Sequence, residues 1–277
     1  MRELKDLNLC DDFLFKEVMK DEKLVIEFLE MVLDLKGKIK KIKFIETEKT
    51  IDGGYEGKAV RLDVYLQDEE ETIYNIEIEN GKVRFLGKRS RKYQANIDYD
   101  FLKRGHGYDK LKKQYIIFIC TKDPFGEGLY KYTFSNICHE KPDVELGDEC
   151  VKVFLNTKGH VGEVSRELKA FLNFVEKSTV ENAAIIKDSY VTELSERIED
   201  IKKDEALGGV FMTFEEKMDE VREASREEGI KEGIKEGIKE GIKKNSLDVA
   251  KGMKEKGYDI EDIVELTKLT KEEIESL

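Results

Sequence analysis

The chain has no tryptophan, two prolines, three histidines and four cysteines in 277 residues. His106, His139 and His160 are too few and too scattered for a zinc cluster or a Ser-His-Asp arrangement. Cys10, Cys120, Cys138 and Cys150 have no C-x-x-C spacing and read as reduced thiols of a cytoplasmic protein. No run approaches the ~18 apolar residues of a membrane span. The start, Met1-Arg-Glu-Leu-Lys-Asp6, lacks a signal-peptide apolar region. The expectation is a cytoplasmic protein that does not use a membrane.

Charge, by contrast, is abundant. Charged residues make up 40% of the chain and the formal net charge is −12, which argues against a generally sticky nucleic-acid binder. The distribution says something different. Between Gly81 and Lys113 there are eleven Lys or Arg against Asp98, Asp100 and Asp109, a local balance of +8. A basic block inside an acidic chain is the footprint expected of phosphate-backbone contact.

Immediately before that block lies a stretch that reads as two alternating strands, about 59–67 and 72–80, joined by a tight acidic turn. In the first strand Arg61, Asp63, Tyr65 and Gln67 share a face; in the second, Asn75, Glu77 and Glu79 do. A hairpin turning near Glu70 places Asp63 across from Glu77, where like charges are destabilising. Such a cluster calls for a compensating cation, and oxygen ligands at this spacing suit Mg²⁺. The plain alternative is a solvated strand face. The turn Asp68-Glu69-Glu70-Glu71 reads as solvated in either case.

The remaining elements follow from periodicity. Residues 11–34 have helical period with a break near Lys20-Asp21 and a plausible N-cap at Asp11 or Asp12. Residues 39–47 read as a strand and Asp52-Gly-Gly-Tyr-Glu-Gly57 as a loop. From Arg84 to Arg104 the pattern is helical, with Phe85, Leu86, Tyr93, Ile97, Phe101 and Leu102 as buried candidates, ending at Gly105-His-Gly107. Lys88, Arg89, Arg91 and Lys92 lie mostly off that stripe. Gln114–Cys120 is continuously apolar, a central buried strand. Short strands are expected near 130–137 and 149–155, and helices at 163–176, 181–203 and 211–228.

Residues 229–243 repeat Gly-Ile-Lys-Glu, so Ile230, Ile234, Ile238 and Ile242 form one slowly winding helical stripe. Each glycine costs about 1 kcal/mol against alanine, which leaves two readings, a frayed linker or an oligomerising stalk packed on a partner helix. The tail reads as helices at 246–256, 260–267 and 271–276, N-capped by Asp259 and Thr270 in the last two. Leu247, Ala250, Ile263, Leu266, Leu269 and Ile274 would make a small core, more suited to docking than to reading DNA because the last helix is acidic.

The order α-β-β-β-α-β, with Asp63 on the second strand and Glu77-Ile-Glu79 on the third, resembles the PD-(D/E)XK nuclease superfamily. More narrowly it resembles the Rpn-type recombination-promoting nucleases, often labelled transposases. The pieces that carry the resemblance include Asp12-Phe-Leu-Phe-Lys16, Arg61-Leu-Asp63, Asn75-Ile-Glu-Ile-Glu79, Arg89-Ser-Arg-Lys-Tyr-Gln94, Tyr115-Ile-Ile-Phe-Ile119 and the repeats and tail. The resemblance implies an α/β fold with a mixed sheet, a restriction-endonuclease-like αβββαβ core followed by a helical C-terminal region. It implies a Mg²⁺-dependent DNA endonuclease in which Asp63 and Glu77 hold the ion, joined by Glu17 or Asp12. Gln94 would support the site, and Lys88, Arg89, Arg91 and Lys92 would contact DNA. Glu79 stands where the superfamily has Lys and this subfamily commonly Gln. It is a further metal ligand, or a nearby Lys such as Lys82 replaces the missing cation, or the site is impaired. The expected segments are a nuclease-like domain at 1–178, a helical extension at 179–228, the repeat at 229–245 and a small helical module at 246–277. The alternative function is a catalytically impaired nuclease fold acting by DNA binding and tail oligomerisation; a third is a purely structural interaction protein.

Overall fold

The computed structural model describes residues 2–51, 59–81, 84–102 and 107–277. The expected loop at 52–57, the candidate cation Lys82 and the helix end at Gly105-His106 lie outside the described residues. The chain forms two compact units, Met1–Met212 and Thr213–Leu277.

The first unit is built on a six-stranded mixed sheet. Its strands are β1 Ile42–Ile51, β2 Val60–Asp68, β3 Ile73–Glu79, β4 Gln114–Cys120, β5 Lys131–Phe134 and β6 Cys150–Asn156, in the order β1-β2-β3-β4-β6-β5. The first three are antiparallel, β4 is parallel to β3, β6 is parallel to β4, and β5 closes the edge antiparallel to β6. Parallel neighbours need a crossover, and the helix α3 (Leu86–Phe101) supplies it between β3 and β4. All seven residues of β4 are buried, as its unbroken apolar run requires of a strand covered on both faces.

The helix α3 packs on one face of the sheet. Ile97 joins Tyr65 and Ile73 in one core cluster, while Leu86 joins Phe118, Tyr132 and Phe154 in a second, with Tyr93 touching both. Phe85, expected in this stripe, is instead 72% exposed and stands at the helix N-cap with φ of 56°. The expected break near Asp21 divides α1 (Asp12–Val18) from α2 (Glu22–Leu33), and the Asp21 carboxylate accepts from the Leu24 N–H to start the second helix. Helix α1 meets β2 and α2 meets β1. Helices α4 (Arg166–Val175), α5 (Val180–Ile186) and α6 (Ser189–Lys203) complete the layer: Phe171 packs on Phe28, and the buried Tyr190 hydroxyl donates to the Leu24 carbonyl.

The acidic turn between β2 and β3 is not simply solvated. Asp68 is 5% exposed, accepting from the Thr72 N–H (2.9 Å) and the Tyr74 hydroxyl (2.8 Å). Glu71, at φ of 67°, pairs with Lys43 and Lys112. The turn is thereby tied to the strands it joins.

Helix α7 (Glu205–Glu255) starts in the first unit and carries the chain into the second without interruption through the Gly-Ile-Lys-Glu repeat, so the separate helices expected at 211–228 and 246–256 are parts of one. Ile230, Ile234, Ile238 and Ile242 are 52–63% exposed. In the second unit α8 (Ile260–Thr267) and α9 (Lys271–Glu275) fold back so that Ala250, Ile263, Leu269 and Ile274 form a buried cluster. Leu266, expected there, is 69% exposed. Thr270 and Glu273 form a reciprocal capping box on α9, satisfying two backbone donors.

Candidate active site

The β2–β3 register pairs Val64 with Ile76 and Tyr65 with Asn75, and one step further it brings Asp63 beside Glu77. There the carboxylates take over from the backbone ladder. The Asp63 N–H donates to Glu77 Oε1 (3.1 Å), and the Ile78 N–H donates to Asp63 Oδ2 (3.2 Å). The Asn75 side-chain amide also donates to Glu77 Oε1 (3.0 Å). Two acidic side chains are therefore fixed where the backbone pairing of the two strands stops.

Asp63 also has an acidic neighbour on its other side. In the β1–β2 ladder Thr47 pairs with Val64 and Lys49 with Leu62, so Glu48 lies opposite Asp63 between them. Glu48 holds φ of 59°, a left-handed backbone that is uncommon for a residue with a side chain. The cation for this group comes from α1. Lys16, 4% exposed, places Nζ at 2.7 Å from Asp12 Oδ2, 3.0 Å from Glu48 Oε1 and 3.6 Å from Asp63 Oδ1. Asp12 and Lys16 are four apart and share a helix face. Glu17, one residue on, turns away to pair with Lys20, so of the two helix carboxylates considered it is Asp12 that the fold brings to the strand pair.

Glu79 also has a cation. Arg89 on α3 pairs with it and donates to the Tyr93 hydroxyl (3.2 Å), and its guanidinium lies 5.5 Å from the centre of the Phe118 ring. Arg89, expected to contact DNA phosphate, is thus engaged in the site itself. Helix phase explains the difference. Arg89 and Tyr93 are one turn apart over the carboxylates, whereas Gln94 is rotated by about 100° and lines a separate pocket with Arg91. Lys88, Arg91 and Lys92 are exposed and make no ion pair among the described residues, in keeping with a solvated basic face. Nothing local in the sequence marks Lys16 or Glu48 as part of the site. A lysine within a helix that also carries acids reads as ordinary, and Glu48 lies just past the expected end of its strand.

Asp12, Arg61, Asp63, Glu77, Glu79 and Arg89 line a cavity of about 570 Å³ together with Asn80 and Tyr93. Burial, and then the Asp12 charge, push Asp63 up to about 6 against the opposing pull of Lys16. Burial, and then the charge of Asp63, push Glu77 up to about 8. Burial leads both shifts, and a neighbouring carboxylate adds to each, Asp12 for Asp63 and Asp63 for Glu77. A divalent cation would relieve that strain. The donors are all oxygen, and Asn75 Oδ1, buried beside Glu77, has no hydrogen-bond partner among the described residues. This chemistry fits Mg²⁺, which is commonly held by one or two carboxylates with water and substrate phosphate completing the shell. Among the described residues no three His, Cys, Asp or Glu side chains are already grouped as a cage, so Asp63 and Glu77 are the pair the fit rests on.

An antiparallel β1–β2–β3 meander, a helical crossover to a parallel β4, and acidic residues where the pairing of β2 with β3 stops together define an α/β fold of the restriction-endonuclease-like class. The profile of the PD-(D/E)XK nuclease family transposases matches residues 9–205, and the chain belongs to that family. No curated protein and no solved structure matches the chain. No described helix is long and apolar enough to cross a membrane.

Proposed function

We propose that this chain is a Mg²⁺-dependent DNA endonuclease, hydrolysing phosphodiester bonds without a covalent intermediate, in DNA recombination or in mobile-element and defence biology. The observation that carries this reading is the Asp63–Glu77 pair, a half-buried and a buried carboxylate locked side by side by each other's strand and opening on a cavity lined by Arg61 and Arg89. Asp63 and Glu77 would hold the ion, which when bound supplies an activated water and neutralises charge on the phosphate. Lys16 keeps Asp12, Glu48 and Asp63 balanced, and Arg89 keeps Glu79 from adding an uncompensated charge. The exposed Lys88, Arg91 and Lys92 on α3 would bear on the DNA backbone. The four free cysteines accord with a cytoplasmic site of action.

The test is nicking of a supercoiled plasmid with Mg²⁺, Mn²⁺, Ca²⁺ or EDTA. Cleavage is expected with Mg²⁺ or Mn²⁺, and Asp63→Ala and Glu77→Ala should abolish it while DNA binding persists. Normal cleavage by both variants would sink the assignment.

A second reading is favoured by Glu79 and by the tail. Glu79 stands where the superfamily has Lys, and four isoleucines of α7 are exposed in one stripe. On this reading the chain is catalytically impaired and acts by binding DNA as an oligomer. Sedimentation of the full chain should then show Ile234→Asp/Ile238→Asp lowering the association state, and no divalent ion should elicit cleavage.

A further inference from the structure

The second pocket on the α3 face has no part in the hydrolysis described above. We infer that this pocket, between α3 and the β5–β6 edge, receives an unstacked nucleobase of the DNA substrate. The inference rests on the reading of the substrate as DNA.

Sheet register fixes where the pocket stands. Glu77, Phe118, Phe154 and Tyr132 are successive partners across β3, β4, β6 and β5, so they form one row on one face. Lys152 and Phe134 pair in the next row on that face. Strands lie about 4.8 Å apart, which puts β6 about 10 Å and β5 about 14 Å from the strand of Glu77. At about 3.4 Å per stacked nucleotide, that is three to four nucleotides along one DNA strand. A base seated here can therefore belong to the strand whose phosphate lies at the carboxylates.

The chemistry of the pocket is that of a base receptor. Phe125 and Phe134 are 42% and 45% exposed, far more than aromatic rings in the two core clusters. They are nonetheless held rigidly. Phe125 meets Phe134 edge-on (5.1 Å, 62°) and Phe154 edge-on (5.1 Å, 88°). The polar lining includes Arg91, Lys152, whose Nζ donates to Cys150 Sγ (3.7 Å), Asn136, whose amide already donates to Asp148 (2.7 Å), and Gln94, an amide that can donate and accept. The side chains of Arg91 and Gln94 make no hydrogen bond or ion pair among the described residues, so neither is committed to the fold. In a chain with 61 acidic residues, no Asp or Glu is among those lining this pocket. Part-exposed aromatic rings for stacking, an uncommitted Gln94 amide for a base edge and the unpaired Arg91 for an adjoining phosphate make the pattern of a single-strand stacking site. The cavity, about 420 Å³, is within the range of small-ligand pockets.

The test is equilibrium binding of fluorescein-labelled DNA to the full chain in EDTA, by anisotropy at fixed salt. The probes are a fully paired 30-mer duplex and the same duplex with one unpaired base. Loss of one aromatic stacking partner typically weakens binding roughly five- to a hundredfold per base. The unpaired probe should therefore bind more tightly by a factor in that range, and Phe134→Leu or Phe125→Leu, which keep apolar bulk but lose the flat ring, should bring the ratio towards one. A ratio near one in the parent chain, or a ratio unchanged in both variants, overturns the inference and leaves the nuclease reading standing. Failure of every DNA to bind removes both. A measurement on the unaltered chain guards against misfolded variants: 5-iodouracil at the unpaired position should photo-cross-link to the pocket lining at 87–94, 125–136 or 152–154, and a cross-link confined to other segments overturns the inference.

Discussion

Replacing Glu77 with Gln should make the protein more stable while destroying its chemistry. The amide oxygen of glutamine can still accept from the Asp63 N–H and the Asn75 amide, so the hydrogen bonds at Oε1 survive. What disappears is the penalty of ionising a carboxyl that is 2% exposed. Glu77 is pushed up to about 8 in the folded chain, against about 4.3 for an unfolded glutamate. Between those values the folded state binds more protons, so wild-type stability falls as pH rises from about 4 to about 8. At 1.36 kcal/mol per pH unit, the whole interval to pH 7 amounts to about 3.7 kcal/mol. Part of that penalty is shared with Asp63, because protonating either carboxyl relieves the other, which leaves about 1–3 kcal/mol to Glu77 alone. For a unit of this size the gain corresponds to a rise in Tm of roughly 3–10 °C. Thermal or urea melts in EDTA at pH 5, 7 and 8 test it. The variant should gain little at pH 5 and most at pH 8, and added Mg²⁺ should stabilise the wild type more than the variant. A variant less stable than wild type at pH 8, or an equal gain at all three values, would refute the view of Glu77 as an electrostatically strained carboxyl.

Lys16→Met should act in the opposite direction, leaving Asp12, Glu48 and Asp63 without their buried cation. Because Asp12 and Glu48 are partly solvated, the cost should be below that of breaking a fully buried pair, at about 1–3 kcal/mol. Urea titrations at pH 7 should show that loss, with a smaller one at pH 5, below the value of about 6 to which Asp63 is pushed. Arg89→Ala strips Glu79 of its partner and should lower both stability, by about 1–2 kcal/mol, and nicking. Adding Glu79→Gln should recover part of both, and a double-mutant cycle in urea reads the coupling directly.

Much of this arrangement is legible in the residues. The unbroken apolar run Gln114–Cys120 is β4 to the residue, because a strand covered on both faces has no alternation to blur its ends. The pairing of Asp63 with Glu77 follows from two alternating strands and a short turn, since the side-chain period of two leaves little freedom in register. Other features depend on tertiary contact and are not visible locally. Lys16 is one of 49 basic residues until α1 is laid beside β2. Arg89 and Gln94 differ only in helix phase, and the sheet decides which one faces the carboxylates. The four glycines of the repeat weaken a helix on propensity alone, yet α7 runs through them, continuous with helical sequence on both sides. Leu266 and Phe85 fit an apolar stripe by spacing, but both lie at the surface.

The exchange of hydrogen bonds between Asp63 and Glu77 has a consequence for the safety of such a protein in a cell. Each carboxylate is positioned by a backbone N–H of the opposing strand, so neither is aimed until β2 and β3 have closed in the right frame. A slip of one residue between the two strands would turn one of the side chains to the other face of the sheet and disperse the pair. A nascent, misfolded or partly degraded chain is in this way disarmed. The DNA cleavage proposed above would then be a property of the finished sheet, with the fold itself as the safety catch.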